Sequence, residues 1–121
     1  MKDQEFISVV LYTHNHQFVI ADTLRRILNF INARFINFEI IIVNDSSIDE
    51  TKNEIKNFIK ENDNSRITLI NLAFKHGLET AICVGVDFSV GDFVIELDSP
   101  VLSFNENIIF DLYKQSCEGF D

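Results

Sequence analysis

Tryptophan is absent from this 121-residue sequence, proline occurs once and glycine four times. A chain so poor in Pro and Gly is neither a linker nor a low-complexity segment. Cysteine occurs twice, at Cys83 and Cys117, without metal-ligand spacing and without the density of a disulfide framework. That usage points to free thiols in a reducing compartment, and a cytoplasmic location is expected. Positive charge is scarce: 10 Lys and Arg stand against 19 Asp and Glu, for a formal net charge of −9. Such a surface repels polyanions and anionic lipid, which excludes nucleic acid and a membrane surface as expected partners. A small anionic ligand stays allowed, because a helix N-terminus or a single cation acts locally. No apolar run approaches the roughly 20 residues that span a bilayer. No leader peptide is read, so a soluble chain with no membrane segment is expected.

What is present is enough apolar material for one core. Hydrophobic residues make up 46% of the sequence, including 12 Phe, and the length suits one domain over residues 1–121. Four strand–helix units follow one another. The first strand is read at Phe6–Thr13 (FISVVLYT), rich in β-branched residues. Its helix carries Ile20, Leu24, Ile27, Leu28 and Ile31 on one face, with Asn15 as the expected N-cap. The second strand is read at Phe38–Asn44. Ser47 is expected to start the next helix, with Glu50 completing a capping box and Ile55, Phe58 and Ile59 inward. The third strand is read at Arg66–Leu72, before a helix opening near Gly77 with Leu78, Ala81, Ile82 and Gly85 on one face. The fourth is read at Asp92–Leu97, before a helix over residues 105–117 with Ile108, Ile109, Leu112 and Tyr113 inward. Regular alternation of this kind predicts a three-layer α/β/α fold around a mostly parallel sheet.

In an open parallel sheet, ligands bind beyond the carboxyl ends of the strands. The residues at those exits are Tyr12, Thr13, His14, Asn15 and His16; Asn44, Asp45, Ser46 and Ser47; Lys75, His76 and Gly77; and Asp98, Ser99 and Pro100. Each set also has a plainer reading. Asn, Asp and Ser are the ordinary residues of βα turns and caps. His14 and His16 without further ligands read as solvated loop histidines rather than a metal pair. Lys75 reads as a surface lysine. Asp98 ends an apolar strand and can either cap the next turn or hold a divalent cation through oxygen. Glu96 shares its strand face.

The ordered set ISVVLYTHNH, FEIIIVNDSSIDET and FKHGLETAICVGVDFSVGDFVIELDSP resembles the N-terminal half of the family-2 glycosyltransferases, which have the GT-A fold. The resemblance runs from about Ile7 to Asp98. It implies a Rossmann-like half of a GT-A fold that binds a nucleotide-diphospho-sugar, a UDP- or GDP-sugar, for polysaccharide, glycolipid or cell-envelope synthesis. By resemblance, Tyr12, Thr13, His14, His16, Asn44, Asp45, Lys75 and Gly77 line the donor nucleotide. Asp98 matches the first Asp of the family's D-x-D, which holds the sugar diphosphate and Mg²⁺ or Mn²⁺.

The sequence departs from the family pattern at several of these positions. Tyr12, His14, His16 and His76 stand where the family has Pro, Tyr, Glu and Asn. Asn44 replaces an Asp, and an amide still accepts a hydrogen bond. Pro100 stands where the second Asp of D-x-D belongs and brings no side-chain oxygen. The catalytic base and acceptor-binding residues of the family come from a half that follows D-x-D. Residues 1–121 are therefore expected not to complete a transfer alone, and self-association is expected through the surface that half would cover. Two other readings remain. One is a relic or interaction domain of the same fold without nucleotide binding. The other is a phosphoryl-accepting receiver domain, whose acidic cluster after the first strand and Asp after the third are both missing here.

Overall fold

Continuous β-branched runs form strands that can be buried on both faces, and the strands here use that property. The computed structural model describes residues 3–62 and 66–101; the helix expected over 105–117 lies outside them. The elements are β1 (Asp3–Thr13), α1 (Ile20–Arg34), β2 (Phe35–Asn44), α2 (Thr51–Asn62), β3 (Ile67–Asn71), α3 (Leu78–Phe88) and β4 (Phe93–Leu97). All pairings are parallel, in the order β3-β2-β1-β4. The chain steps outward from β1 to β3, then α3 carries it back across the sheet to the far side of β1. The strand order therefore reverses at β1.

The two long central strands set the core. Ile7, Val9 and Leu11 of β1 alternate with Val10 and Tyr12, and Ile40 and Ile42 of β2 alternate with Ile41 and Val43. The first set packs under Ile20, Leu24, Ile27 and Ile31 of α1 and Ile55 and Phe58 of α2. The second packs under Ala81 and Ile82 of α3. Burying one such Ile, Leu or Phe contributes about 1.5–3 kcal/mol. Helix α3 settles closely on the sheet because Gly85 has no side chain. A Cβ there would lie 2.4 Å from Val10 Cγ1 and 3.0 Å from Val43 Cγ2.

β1 begins at Asp3 rather than Phe6, the ends of β3 and the start of β4 shift by one residue, and three further boundaries differ from the sequence reading. β2 begins at Phe35, directly after Arg34, because the fully buried Phe35 plugs the core where α1 ends. Its N–H is bonded to Ile31 O. α1 begins at Ile20 with Val19 as its uncapped N-cap residue, so Asn15 is not its cap. α2 begins at Thr51, and the Ser47–Glu50 box does not form. In both cases the polar residues expected to cap a helix bond across to the neighbouring loop instead. Among the described residues, no helix is long and apolar enough to cross a membrane.

Candidate functional site

The in-register ends of three strands bring their exits together. Thr13 pairs with Asn44, and Asn44 with Asn71. From β2 the chain turns at Asp45, whose carboxylate is fully buried. Its Oδ1 accepts the His76 N–H at 2.8 Å, and its Oδ2 accepts the Gly77 N–H at 2.9 Å and the Tyr12 O–H at 2.8 Å. One carboxylate thus ties β1, β2 and the start of α3 together. Gly77 is the N-cap residue of α3, at φ 94°, a conformation that favours glycine. Burial alone would raise the Asp45 pKa, but the His76, Tyr12 and Gly77 donors outweigh it and hold the carboxyl below its ordinary value. Burial and the Asp45 carboxylate push the Tyr12 phenol up to about 12, so it remains a donor at neutral pH.

A second set of bonds stitches the β1–α1 loop to the β2–α2 loop. The Asn15 N–H donates to Ser47 Oγ at 2.9 Å, and Asn15 Oδ1 accepts the Ile48 N–H at 2.8 Å. The His16 N–H donates to Thr51 Oγ1 at 2.8 Å, and the Gln17 N–H to Asp49 Oδ2 at 3.2 Å. Asp49 Oδ1 also accepts the Thr51 N–H at 2.9 Å, which makes it the capping group at the start of α2. Asn15 (φ 59°) and Ser46 (φ 55°) have left-handed backbone, and they are the non-glycine residues that do so among the described residues. A side chain in that region costs about 1–2 kcal/mol, less for Asn, and the stitched loops supply the compensating bonds.

The histidines read by their partners. His14 Nδ1–H donates to the Asp45 carbonyl at 2.6 Å, while its Nε2 accepts the Asn15 amide at 3.1 Å. His16 Nδ1 accepts both the Thr13 O–H at 2.9 Å and the His14 N–H at 3.2 Å, so its proton sits on Nε2. Burial lowers the His16 pKa below the ordinary 6.5; Asp49 opposes this and His14 reinforces it. Below 6.5 the unfolded chain takes up a proton that the folded chain refuses, so the His16 contribution is whole above that pH and is lost as pH falls. The His16→Asn variant keeps an acceptor but does not titrate. The stability gap between wild type and this variant should shrink between about pH 8 and about pH 5. Melting curves across that range check this, and parallel profiles would refute it.

Asn44 is buried; its Nδ2 donates to Asn71 Oδ1 at 3.0 Å and its Oδ1 accepts the Ser47 N–H at 3.3 Å. Lys75 is exposed in the β3–α3 loop. Asp98 is exposed at the β4 exit, beside β1 through the Leu11–Leu97 pairing, and no hydrogen bond among the described residues links it to the network. Tyr12, Thr13, His14, His16, Asn44, Asp45 and Gly77 are thus brought together, whereas Lys75 and Asp98 stand at the margins. Asn71, Gln17 and the bridging role of Asn15 were missed in the sequence. Only Asn71 left a signal, since β2 and β3 both end in Asn.

For a divalent cation the donor set is thin. Pro100 is buried, and its carbonyl accepts the buried Thr23 O–H. Among the described residues, no three His, Cys, Asp or Glu side chains cluster as ligands. Mg²⁺ held through one or two carboxylates needs phosphate oxygens and water for the rest.

A twisted parallel sheet, helices on both faces and a polar rim at the carboxyl ends place the molecule among the Rossmann-like α/β proteins. The family model for glycosyl transferase family 2 matches residues 8–100, and the chain belongs to that family. It is 30% identical to an uncharacterized glycosyltransferase of Synechocystis sp., over 95% of this chain and 35% of that protein. It is 29% identical to the undecaprenyl-phosphate 4-deoxy-4-formamido-L-arabinose transferase of Edwardsiella ictaluri, over 99% of this chain and 36% of that one. The chain thus spans about a third of the length of these curated relatives. Among solved structures, it resembles S. aureus TarS 1-349 in complex with UDP-GlcNAc, with a TM-score of 0.69 and 20% identity over 98% of this chain and 32% of that one. A mannosyltransferase of Pyrobaculum calidifontis in complex with GDP-Man and Mn²⁺ has a TM-score of 0.69 and 18% identity, over 76% of this chain and 26% of that one. The shared architecture is the Rossmann-like part of the GT-A fold.

Proposed function

We propose that residues 1–121 form the nucleotide-diphospho-sugar-binding part of a glycosyltransferase, and that the acceptor-binding residues and the catalytic base lie outside them. The observation that carries this reading is the rim itself. In a chain of this family, three strand exits are locked into one rigid edge by Asp45, beside the place where the strand order reverses. Ligands of open α/β sheets bind at that place. Tyr12, Thr13, His14, His16, Asn44, Asp45, Lys75 and Gly77 form or flank the donor site. Asn44 and Asp45 shape it from beneath, since their polar atoms already bond within the protein. Asp98, exposed at the β4 exit, is the carboxylate that would meet a Mg²⁺ or Mn²⁺ ion arriving with the donor's phosphates. The complexes of TarS and the mannosyltransferase support a UDP- or GDP-sugar as donor. The Edwardsiella relative supports an acceptor in cell-envelope synthesis. Exposed Cys83, free among the described residues, fits a reducing compartment such as the cytoplasm. Exposed Phe18 and Ile48 fit a surface that other residues or a second copy would cover.

A second reading, a relic of the fold that no longer binds nucleotide, is favoured by the burial of Pro100 and the internal use of Asn44 and Asp45. Titration calorimetry of the chain with UDP and GDP, each with and without Mn²⁺, separates the two. The donor reading expects saturable binding of one nucleotide, strengthened by Mn²⁺ in wild type and not in Asp98→Asn. Absence of binding under all four conditions would establish the relic.

A further inference from the structure

We propose that Phe74, stacked on His76, is a platform for the flat nucleobase of the donor; this rests on the reading of the rim as a nucleotide-sugar site. Phe74 lies in the β3–α3 loop and is 66% exposed. Its ring lies over the His76 imidazole with centroids 4.3 Å apart and planes 23° apart. His76 is held in turn through its backbone N–H by Asp45, and Gly77 by the other oxygen of the same carboxylate. The exposed ring is therefore mounted on a backbone anchored to β2 and, through Tyr12, to β1.

Electrostatics chooses which part of a nucleotide sugar fits there. The N–H groups that open α3 would ordinarily attract a phosphate. Here the Asp45 carboxylate already takes the His76 and Gly77 N–H groups and brings a negative charge to that corner. A diphosphate finds neither of those two N–H groups free, whereas a neutral planar ring needs no such donor. Base–aromatic stacking tolerates any base, since every base has a π-face. The platform thus supplies affinity for a nucleoside without choosing between uracil and guanine.

The chain has no tryptophan, so Phe74→Trp introduces a lone fluorescent reporter at the platform, and Phe74→Ala removes it. Probes are UDP and GDP, the matching monophosphates and inorganic pyrophosphate. Phe74→Ala is expected to weaken the di- and monophosphate nucleotides roughly 5- to 100-fold. Pyrophosphate binding and melting temperature should not change, because the side chain is exposed. Emission of Phe74→Trp should be quenched by the nucleotides and not by pyrophosphate. Unchanged nucleotide affinity in Phe74→Ala, or an equal loss for pyrophosphate, overturns the platform while leaving the donor site standing. A wild-type chain that binds none of the nucleotides overturns the donor reading and the platform with it.

Discussion

Replacing Asp45 with alanine should destabilise the fold by about 3 kcal/mol or more. Three donors converge on this buried carboxylate: the Tyr12 hydroxyl and the His76 and Gly77 N–H groups. Hydrogen bonds to a charged group contribute about 1.5–3 kcal/mol each, and a buried donor left without a partner costs about 1–3 kcal/mol. Water entering the space left by the side chain offsets part of that sum, which sets the figure near the lower end. The loss would not be confined to stability. Without Asp45 the β3–α3 loop loses its tie to β2, and the rim loosens where a nucleotide would lie. Urea unfolding of Asp45→Ala and wild type checks the magnitude. A difference below about 1 kcal/mol, the value of one neutral hydrogen bond, would refute the latch. The pH dependence has a definite sign. The Asp45 pKa is held below its ordinary 3.8, so its contribution is complete above that pH and is lost as pH falls through the lower folded value. The window lies well below that of His16, so acid titration separates the two groups.

Replacing Gly85 with valine should cost about 3 kcal/mol and lift α3 from the sheet. A Cβ at this position meets Val10 Cγ1 at 2.4 Å and Val43 Cγ2 at 3.0 Å. Both valines are β-branched and fully buried, so neither can swing aside. Overpacking of this kind costs about 1–3 kcal/mol, and the two further methyl groups of valine put the effect at the upper end. The gain in helix propensity over glycine, a few tenths of a kcal/mol for valine, recovers little. Because α3 begins at the Asp45 latch, a shifted helix should also weaken nucleotide binding. Thermal unfolding and nucleotide titration of the same variant test both consequences. A variant as stable as wild type would show that α3 does not rest on Val10.

The helices covering each face were legible because apolar residues recur at helical spacing: Ile20, Leu24, Ile27 and Ile31 turned inward as their spacing required. The starts of α1 and α2 were not legible. Asn15 and Ser47 are good capping residues, and sequence reasoning assigns a cap to the nearest helix. In the fold each has a stronger claim from the opposite loop, Asn15 from Ile48 and Ser47 from Asn15. Those partners lie about thirty residues away in sequence. Asp49, four residues after Asp45, likewise opens α2 and holds the β1–α1 loop across about thirty residues of sequence.

The strand–helix alternation, the parallel sheet and the polar character of the strand exits were determined by sequence alone, because continuous apolar runs and helical periodicity are local patterns that report burial directly. The exits that became one edge, and the use of Asp45 as a tie between β1, β2 and the start of α3, were decided by tertiary structure. So was the burial of Pro100, whose carbonyl accepts the Thr23 O–H. A carboxylate in a turn carries no mark of who its donors will be. Its role is set by the register of strands far apart in sequence, and that register exists only once the sheet has formed.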